Sequence, residues 1–331
     1  MKILVAPLNW GLGHASRCVP LVERWLNEGH EVVLGGDGDS LTLLRKHFPR
    51  LRYVYLAPLQ LRYSSGKRQV WALAKAIPQV IRWAIQDHAM VKAVLREEMF
   101  DRVVSDNRFG CYHKQAESIY ITHQLHIRLP RGWRWAERWA AAIHARVYNR
   151  FDEVWVPDNE DEKTSLSGWL GHGVSNKKIR YIGPLSRFTS NEKAVRTEET
   201  NATKPRQNLD KTSVTAVLSG LEPQRSILES EIVQHYQGGE EQVVIVQGLP
   251  GRPMTRIKRG NITMVPYMDD AGLKDALAKS DKIIARSGYS TIMDLDALGV
   301  LGKAELIPTP GQSEQEYLAE WLHQRESLQE I

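Results

Sequence analysis

Residues 282–295 read KIIARSGYSTIMDL. A short β-branched run breaks at Ser287-Gly288 and restarts with helical spacing. The run is too short for a buried helix and carries the paired isoleucines that a strand favours. Small residues at the turn let backbone N–H groups approach a ligand, and the helix that opens there points its positive end the same way. The stretch is therefore a strand, a ligand-facing turn and a helix. The same unit recurs outward in both directions. Apolar runs at 2–7, 30–35, 101–105, 118–122, 152–156 and 180–182 are each followed by a longer segment, and a second set lies at 215–219, 243–247, 262–266, 282–285 and 305–308. Strands alternating with helices build parallel sheets from βαβ units. Between the two sets, residues 189–213, TSNEKAVRTEETNATKPRQNLDKTS, are polar and read as a linker or mobile loop. The expected architecture is α/β: two Rossmann-like, doubly wound parallel-sheet domains, 1–188 and 214–331, facing a cleft.

The composition fits this reading. The chain has 331 residues, 42% of them hydrophobic and 25% charged, which suits a folded globular protein. No run of about 18 apolar residues exists, so no transmembrane helix is expected. The opening MKILVAPLNWGLGH reads as a first strand rather than a leader. Cys18 and Cys111 cannot make a disulfide framework or a cysteine-based zinc site, and a cytosolic setting is the default. Net charge is +5 but uneven: residues 51–150 hold 17 Lys and Arg against 7 Asp and Glu. A basic half points to an anionic partner.

In open α/β sheets ligands sit beyond the carboxyl ends of strands, so chemistry is sought there. After the first strand comes Asn9-Trp10-Gly11-Leu12-Gly13-His14-Ala15-Ser16-Arg17, leading into a helix over 19–27. Gly11 and Gly13 allow close backbone approach. His14 between them and the helix suits general-base work; its other reading is a helix cap. Asp106, in Ser105-Asp106-Asn107-Arg108, could orient His14 or cap the next helix. Asn107 and His123, in Thr122-His123-Gln124, fall on the same side and are candidates for the acceptor. A dinucleotide fingerprint would need Gly where Ser16 stands, although Asp37 follows at about the right distance for a ribose. Asp37-Gly38-Asp39 reads as a solvated turn rather than a metal site. No metal and no cofactor are expected.

Three blocks of the second half resemble, in order, the donor site of GT-B glycosyltransferases, in particular family 28, which includes a peptidoglycan lipid-intermediate N-acetylglucosaminyltransferase. They are Tyr267-Met268-Asp269-Asp270, Arg286-Ser287-Gly288 through Asp294, and Pro308 through Tyr317. The Gly11–His14 loop resembles the same family's N-terminal loop. The resemblance implies a nucleotide-sugar donor, UDP-linked. The Met268 backbone would read the base and Asp294 would hold the ribose. Arg286, Ser287 and Gly288 would line the diphosphate, and Glu314 and Gln315 would bind the sugar. Gly13 and Gly220 would face the phosphates. Arg225, an addition to the family's loop, could neutralise a phosphate charge or stand at the surface where a helix starts. The resemblance further implies metal-independent transfer with inversion, with His14 taking the acceptor's proton. Two features depart from the family: Glu314 stands where a glutamine is usual, and the 219–225 loop keeps one glycine. The loop through Arg17 also resembles that of nucleotide-sugar hydrolases of nonulosonate biosynthesis, which would use His14 to activate water. A non-catalytic nucleotide-sugar binding protein is the third reading.

Within the basic region, residues 129–151 mix Trp133, Trp135 and Trp139 with Arg131, Arg134, Arg138, Arg146 and Arg150. A second stretch runs over 67–96 with Trp71 and Trp83. Ordinary amphipathic helices would bury these tryptophans and solvate the arginines. The same mixture also suits a lipid interface, with the protein peripheral at the inner membrane face and an anionic or lipid-linked acceptor. No nucleic-acid-binding motif is present.

Overall fold

The computed structural model describes residues 1–59, 69–189 and 213–329, with 69–76 and 326–329 as backbone alone. Residues 190–212 of the linker expected at 189–213, Lys67 and the Trp71 side chain lie outside the described residues.

The first sheet has seven strands: β1 (Lys2–Pro7), β2 (Glu31–Gly36), β3 (Tyr53–Tyr55), β4 (Arg102–Asp106), β5 (Glu117–Ile121), β6 (Glu153–Val156) and β7 (Ile179–Tyr181). They are ordered 3-2-1-4-5-6-7, and every pair is parallel. The second sheet contains β8 (Val214–Val217), β9 (Val243–Val246), β10 (Ile257–Arg259), β11 (Ile262–Val265), β12 (Lys282–Arg286) and β13 (Ala304–Ile307). Its order is 10-11-9-8-12-13, parallel except for the edge strand β10. Both sheets reverse their winding beside their first strand, between β1 and β4 and between β8 and β12. Those two crevices are where such folds bind ligands. The sequence did not anticipate β3 and β10. Each is a three-residue edge strand with little buried apolar surface, so neither shows an apolar run.

Helices α1 (Gly13–Asn27), α2 (Gly38–His47), α3 (Gln69–Glu97) and α4 (Glu137–Tyr148) belong to the first lobe. In the second lobe, α5 (Gln224–Tyr236), α6 (Asp270–Lys279), α7 (Tyr289–Ala297) and α8 (Ser313–Gln329) follow. None is long and apolar enough, over the described residues, to cross a membrane. Helix α1 starts six residues earlier than its apolar pattern suggests, so His14 rides on its first turn. It runs through Pro20 at the cost of a backbone hydrogen bond, because Ala15, Cys18, Val19 and Val22 are fully buried along it.

The two faces of the first sheet are covered differently. Ile3, Val5, Val32 and Leu34 pack on Cys18, Val22 and Trp25 of α1. On the opposite face, Leu4, Ala6, Val33 and Val103 pack on Val91 and Leu95 of α3. Tyr120, Val154 and Val156, on that same face, pack on Tyr148 of α4. The α1-side core is shared with the second lobe: Tyr289, Ile292 and Met293 of α7 and Leu318 and Leu322 of α8 belong to it. Side chains of α8 also hold the first lobe through polar bonds, with the Tyr317 hydroxyl accepting from the Trp169 N–H at 2.8 Å.

The tryptophans divide. Trp83 is buried, as an amphipathic helix requires. Trp135 and Trp139 are not packed inward: they are 70% and 71% exposed. Helix α4 fills its inner face with His144 and Tyr148 instead.

Candidate active site

The first crevice is built by the ends of β1 and β4. The Leu8 N–H donates to the Asp106 carbonyl at 2.9 Å, which ties the Gly-rich loop to β4. One helical turn then places His14 and Arg17, three residues apart, on one side of α1. His14 Nδ1 lies 2.8 Å from Asp106 Oδ1. Arg17 grips the same carboxylate with two nitrogens: Nε donates to Oδ2 at 2.5 Å and Nη2 donates to Oδ1. Asp106 and Arg17 are 0% and 1% exposed. The carboxylate thus holds His14 and does not cap a helix.

His14 Nδ1 also lies 2.9 Å from Arg17 Nη2, which itself donates to Asp106 Oδ1. In the tautomer with its proton on Nδ1, His14 donates to Asp106 and leaves the Nε2 lone pair to act. Burial lowers the His14 pKa below its ordinary 6.5, Arg17 adds to this and Asp106 opposes it. The ring is therefore neutral near pH 7 and able to accept a proton. Burial pushes the Asp106 carboxyl up, but Arg17 and His14 outweigh it and hold it at about 2.

Arg17 continues across the lobes. Its Nη1 donates to His123 Nδ1 at 3.3 Å, and His123 Nε2–H donates to Glu314 Oε1 at 2.7 Å. The His123 ring stacks on Tyr289 of α7 with centroids 4.2 Å apart. Burial raises the Glu314 carboxyl, but His123 overrides it and the group stays below its ordinary range. His14, Asp106, His123 and Glu314, expected from four separate stretches, are thus brought into one chain. Arg17 is its centre. The sequence offered one direct sign of this role, the three-residue spacing from His14.

The glycine loops of the two lobes meet. A Cβ on Gly11 (φ +81°) would lie 3.7 Å from the Gly220 backbone. A Cβ on Gly13 would come within 2.8 Å of Ser290 Oγ, whose hydroxyl donates to the Gly13 carbonyl at 2.9 Å. Gly288 forms the N-cap of α7, so the helix start abuts the turn that carries His14.

Other expected ligand groups have different partners. Arg225 is not a free cation: it bonds Glu222 at 2.5 and 2.8 Å and Glu229 at 2.8 Å. Glu229 lies one turn further along α5, and Glu222 reaches back from the loop before the helix. The Asp294 carboxylate, expected at a ribose, accepts from Ser186 Oγ at 2.7 Å and pairs with Arg187 at 3.3 Å. The Gln315 amide is folded into its own loop, with Oε1 accepting from the Thr309 N–H at 2.8 Å and Nε2 donating to Gln312. Arg286 braces the Pro308 and Gln224 carbonyls, and the Ser287 hydroxyl donates to the Gln315 carbonyl at 2.8 Å. The Met268 side chain is buried in the second lobe's core, which leaves its backbone as the group available for recognition. Asn107 adopts a left-handed φ of +58° and accepts from the Tyr120 hydroxyl at 2.8 Å. Asp37 holds Arg108 at 2.9 Å and Asn9 at 3.1 Å.

A second polar clasp crosses the lobes. His47 at the end of α2 bonds Asp270 at the start of α6 at 2.9 Å, and Arg187 approaches the same carboxylate at 3.2 Å. It was not anticipated, because its members lie far apart in sequence.

No protein-family profile matches the chain. It is 24% identical over 335 residues to an uncharacterized glycosyltransferase of Methanosarcina acetivorans, covering 96% of this chain and 82% of that one. Among solved structures it resembles the spinosyn forosaminyltransferase SpnP, with a TM-score of 0.58 and 14% identity over 98% of this chain and 83% of that one. The spinosyn rhamnosyltransferase SpnG complexed with thymidine diphosphate gives a TM-score of 0.52 at 11% identity over 99% and 92% of the two chains. Two parallel-dominated sheets of this order, joined through α7 and α8 and matching these enzymes along nearly the whole chain, make this a GT-B fold.

Proposed function

We propose that the protein is a glycosyltransferase that moves a sugar from a nucleoside diphosphate donor to an acceptor hydroxyl, with His14 as general base. The observation that carries this is the His14–Asp106 pair, Nδ1 to Oδ1 at 2.8 Å, at the crevice between β1 and β4. The relative and the structural neighbours named above support sugar transfer, and the thymidine diphosphate complex of SpnG supports a nucleotide donor.

His14 Nε2 takes the proton as the acceptor oxygen bonds to the anomeric carbon and the carbon–oxygen bond to the diphosphate breaks. A positioned base of this kind contributes on the order of 10²–10⁴-fold. Asp106 stabilises the imidazolium that forms, and Arg17 keeps Asp106 ionised. Charge on the departing diphosphate is met by backbone N–H groups at Ser287, Gly288 and Gly220 and by the positive end of α7. Arg225 is held by Glu222 and Glu229. Donor entry exchanges the His123–Glu314 and Arg187–Asp294 contacts for sugar and ribose hydroxyls. The finer reading is a family 28-like, UDP-dependent, inverting and metal-independent hexosyl transfer.

The test is product analysis with UDP- and TDP-sugars, alone and with acceptor alcohols. Transfer product formed with the wild-type chain, and lost in His14→Ala while nucleotide-induced thermal stabilisation persists, supports the proposal. Free sugar released at full rate without acceptor makes the protein a hydrolase. Unchanged nucleotide binding with no turnover in either chain makes it a binding protein.

A further inference from the structure

Helices α3 and α4 cover one face of the first sheet and turn apolar side chains outward. On α3 these are Ile77, Ile81 and Ile85, at 57%, 55% and 65% exposure. Running into and along α4 they are Trp135, Trp139 and Ile143, at 70%, 71% and 63%. Each set steps by four residues and so forms a stripe along one flank of its helix. The helices are joined by shared rings. Phe109 packs against Trp83 of α3 at 5.8 Å and His144 of α4 at 6.1 Å. Tyr112 stacks on His88 of α3 at 4.5 Å and meets Phe151, just past α4, at 5.4 Å.

The stripes are interleaved with exposed cations, among them Arg82, Arg134, Arg138 and Arg146. Among the described side chains of the two helices the exposed acid is Glu97, at the far end of α3; Glu137 is turned in to the Leu129 N–H. This mixture selects the partner. A second copy on a two-fold axis would set arginine against arginine. A nucleic acid would leave the isoleucines without apolar contact. An anionic bilayer satisfies all of it: tryptophan rings lie at the headgroup level, isoleucines reach the acyl boundary, and arginine stems lie flat with their heads on lipid phosphates.

We propose that the α3–α4 face seats the protein on an anionic lipid surface. The seat lies behind the catalytic loop, since Phe109, which the two helices bracket, is three residues past Asp106. The proposal stands apart from the reaction assigned above.

The test uses the full-length chain and vesicles of phosphatidylcholine with and without phosphatidylglycerol, read by co-sedimentation and tryptophan fluorescence. Binding to the anionic vesicles, with a blue shift and strong salt dependence, is expected. At about 1 kcal/mol per basic residue at such a surface, replacing Arg134, Arg138 and Arg146 by Gln lowers partitioning on the order of 10²-fold. The pair Ile81→Glu and Trp139→Glu, both exposed and so compatible with folding, abolishes it. Failure to bind either vesicle, or binding unchanged in these variants, overturns the proposal. So does a concentration-dependent dimer that the same variants dissolve, which would assign the face to a second copy. Vesicle binding is read without turnover, so its failure leaves the transferase reading untouched.

Discussion

Asp106→Asn isolates the charge at the centre of the site with almost no change in shape. In the native chain the carboxylate accepts from Arg17 on both oxygens and from His14 on one. An asparagine amide nitrogen must donate: turned toward Arg17 it meets a donor, and turned toward His14 it forces the tautomer whose Nδ1 accepts. Arg17, 1% exposed, is left as a buried cation with only neutral acceptors, the asparagine carbonyl and His123 Nδ1. Removing one partner of a buried ion pair costs about 3–5 kcal/mol, a Tm drop of roughly 5–15 °C. The acid limb gives an independent measure. Holding Asp106 at about 2 against an ordinary 3.8 corresponds to about 2 kcal/mol. Because the folded pKa is depressed, that stability is present above pH 4 and is lost as pH falls from about 4 toward 2. Thermal and urea unfolding of wild type, Asp106→Asn, Arg17→Met and the double variant close a cycle. The double variant should recover much of either single loss, since it leaves neither charge unpaired. A single-variant cost under about 1 kcal/mol, or a double variant whose losses simply add, refutes the coupling described here.

The remaining expectations follow from the same geometry. His14→Ala should lower kcat on the order of 10²–10⁴-fold with nucleotide affinity retained, as followed by product formation and thermal shift. With the His14 pKa held below 6.5 by burial and Arg17, the acid limb of kcat/KM should fall at a pH under 6.5; a limb above 7 in a pH profile would assign the base elsewhere. Burial lowers and Asp270 raises the His47 pKa, with a net rise above 6.5, so its cross-lobe clasp stabilises fully at acid pH. That contribution fades as pH climbs through the raised value, and His47→Gln should flatten this limb of the stability profile. Gly110→Ala should weaken the first lobe, because the new methyl would sit 2.1 Å from the Ala84 carbonyl of α3, and urea midpoints would register the loss.

Much of this was legible beforehand. The run Ile3–Ala6 ending in a glycine loop declares a buried parallel strand, and Arg286-Ser287-Gly288 declares a turn into a helix. His14 and Asp106 were readable because each follows such a strand, which places it at the crevice whatever its sequence distance. The partner of a charge is harder to read. Arg225 and Glu229 carry the four-residue spacing of a local helical pair, whereas Glu222 joins them from the loop before α5. Arg187 and Asp294 are 107 positions apart, and nothing local links them. The outward turn of Trp135 and Trp139 was equally hidden, since an amphipathic helix can bury either of its apolar flanks and only the packing of His144 and Tyr148 decides which.

The seam between the lobes has one more effect. Tyr289, Ile292 and Met293 sit as deep in the first lobe's core as that lobe's own residues, so neither half has a finished interior by itself. Rearrangement during turnover must pivot about this greasy axle rather than pull it apart, and any chimera that borrows its rear half from a cousin inherits an axle that has to fit the socket on α1.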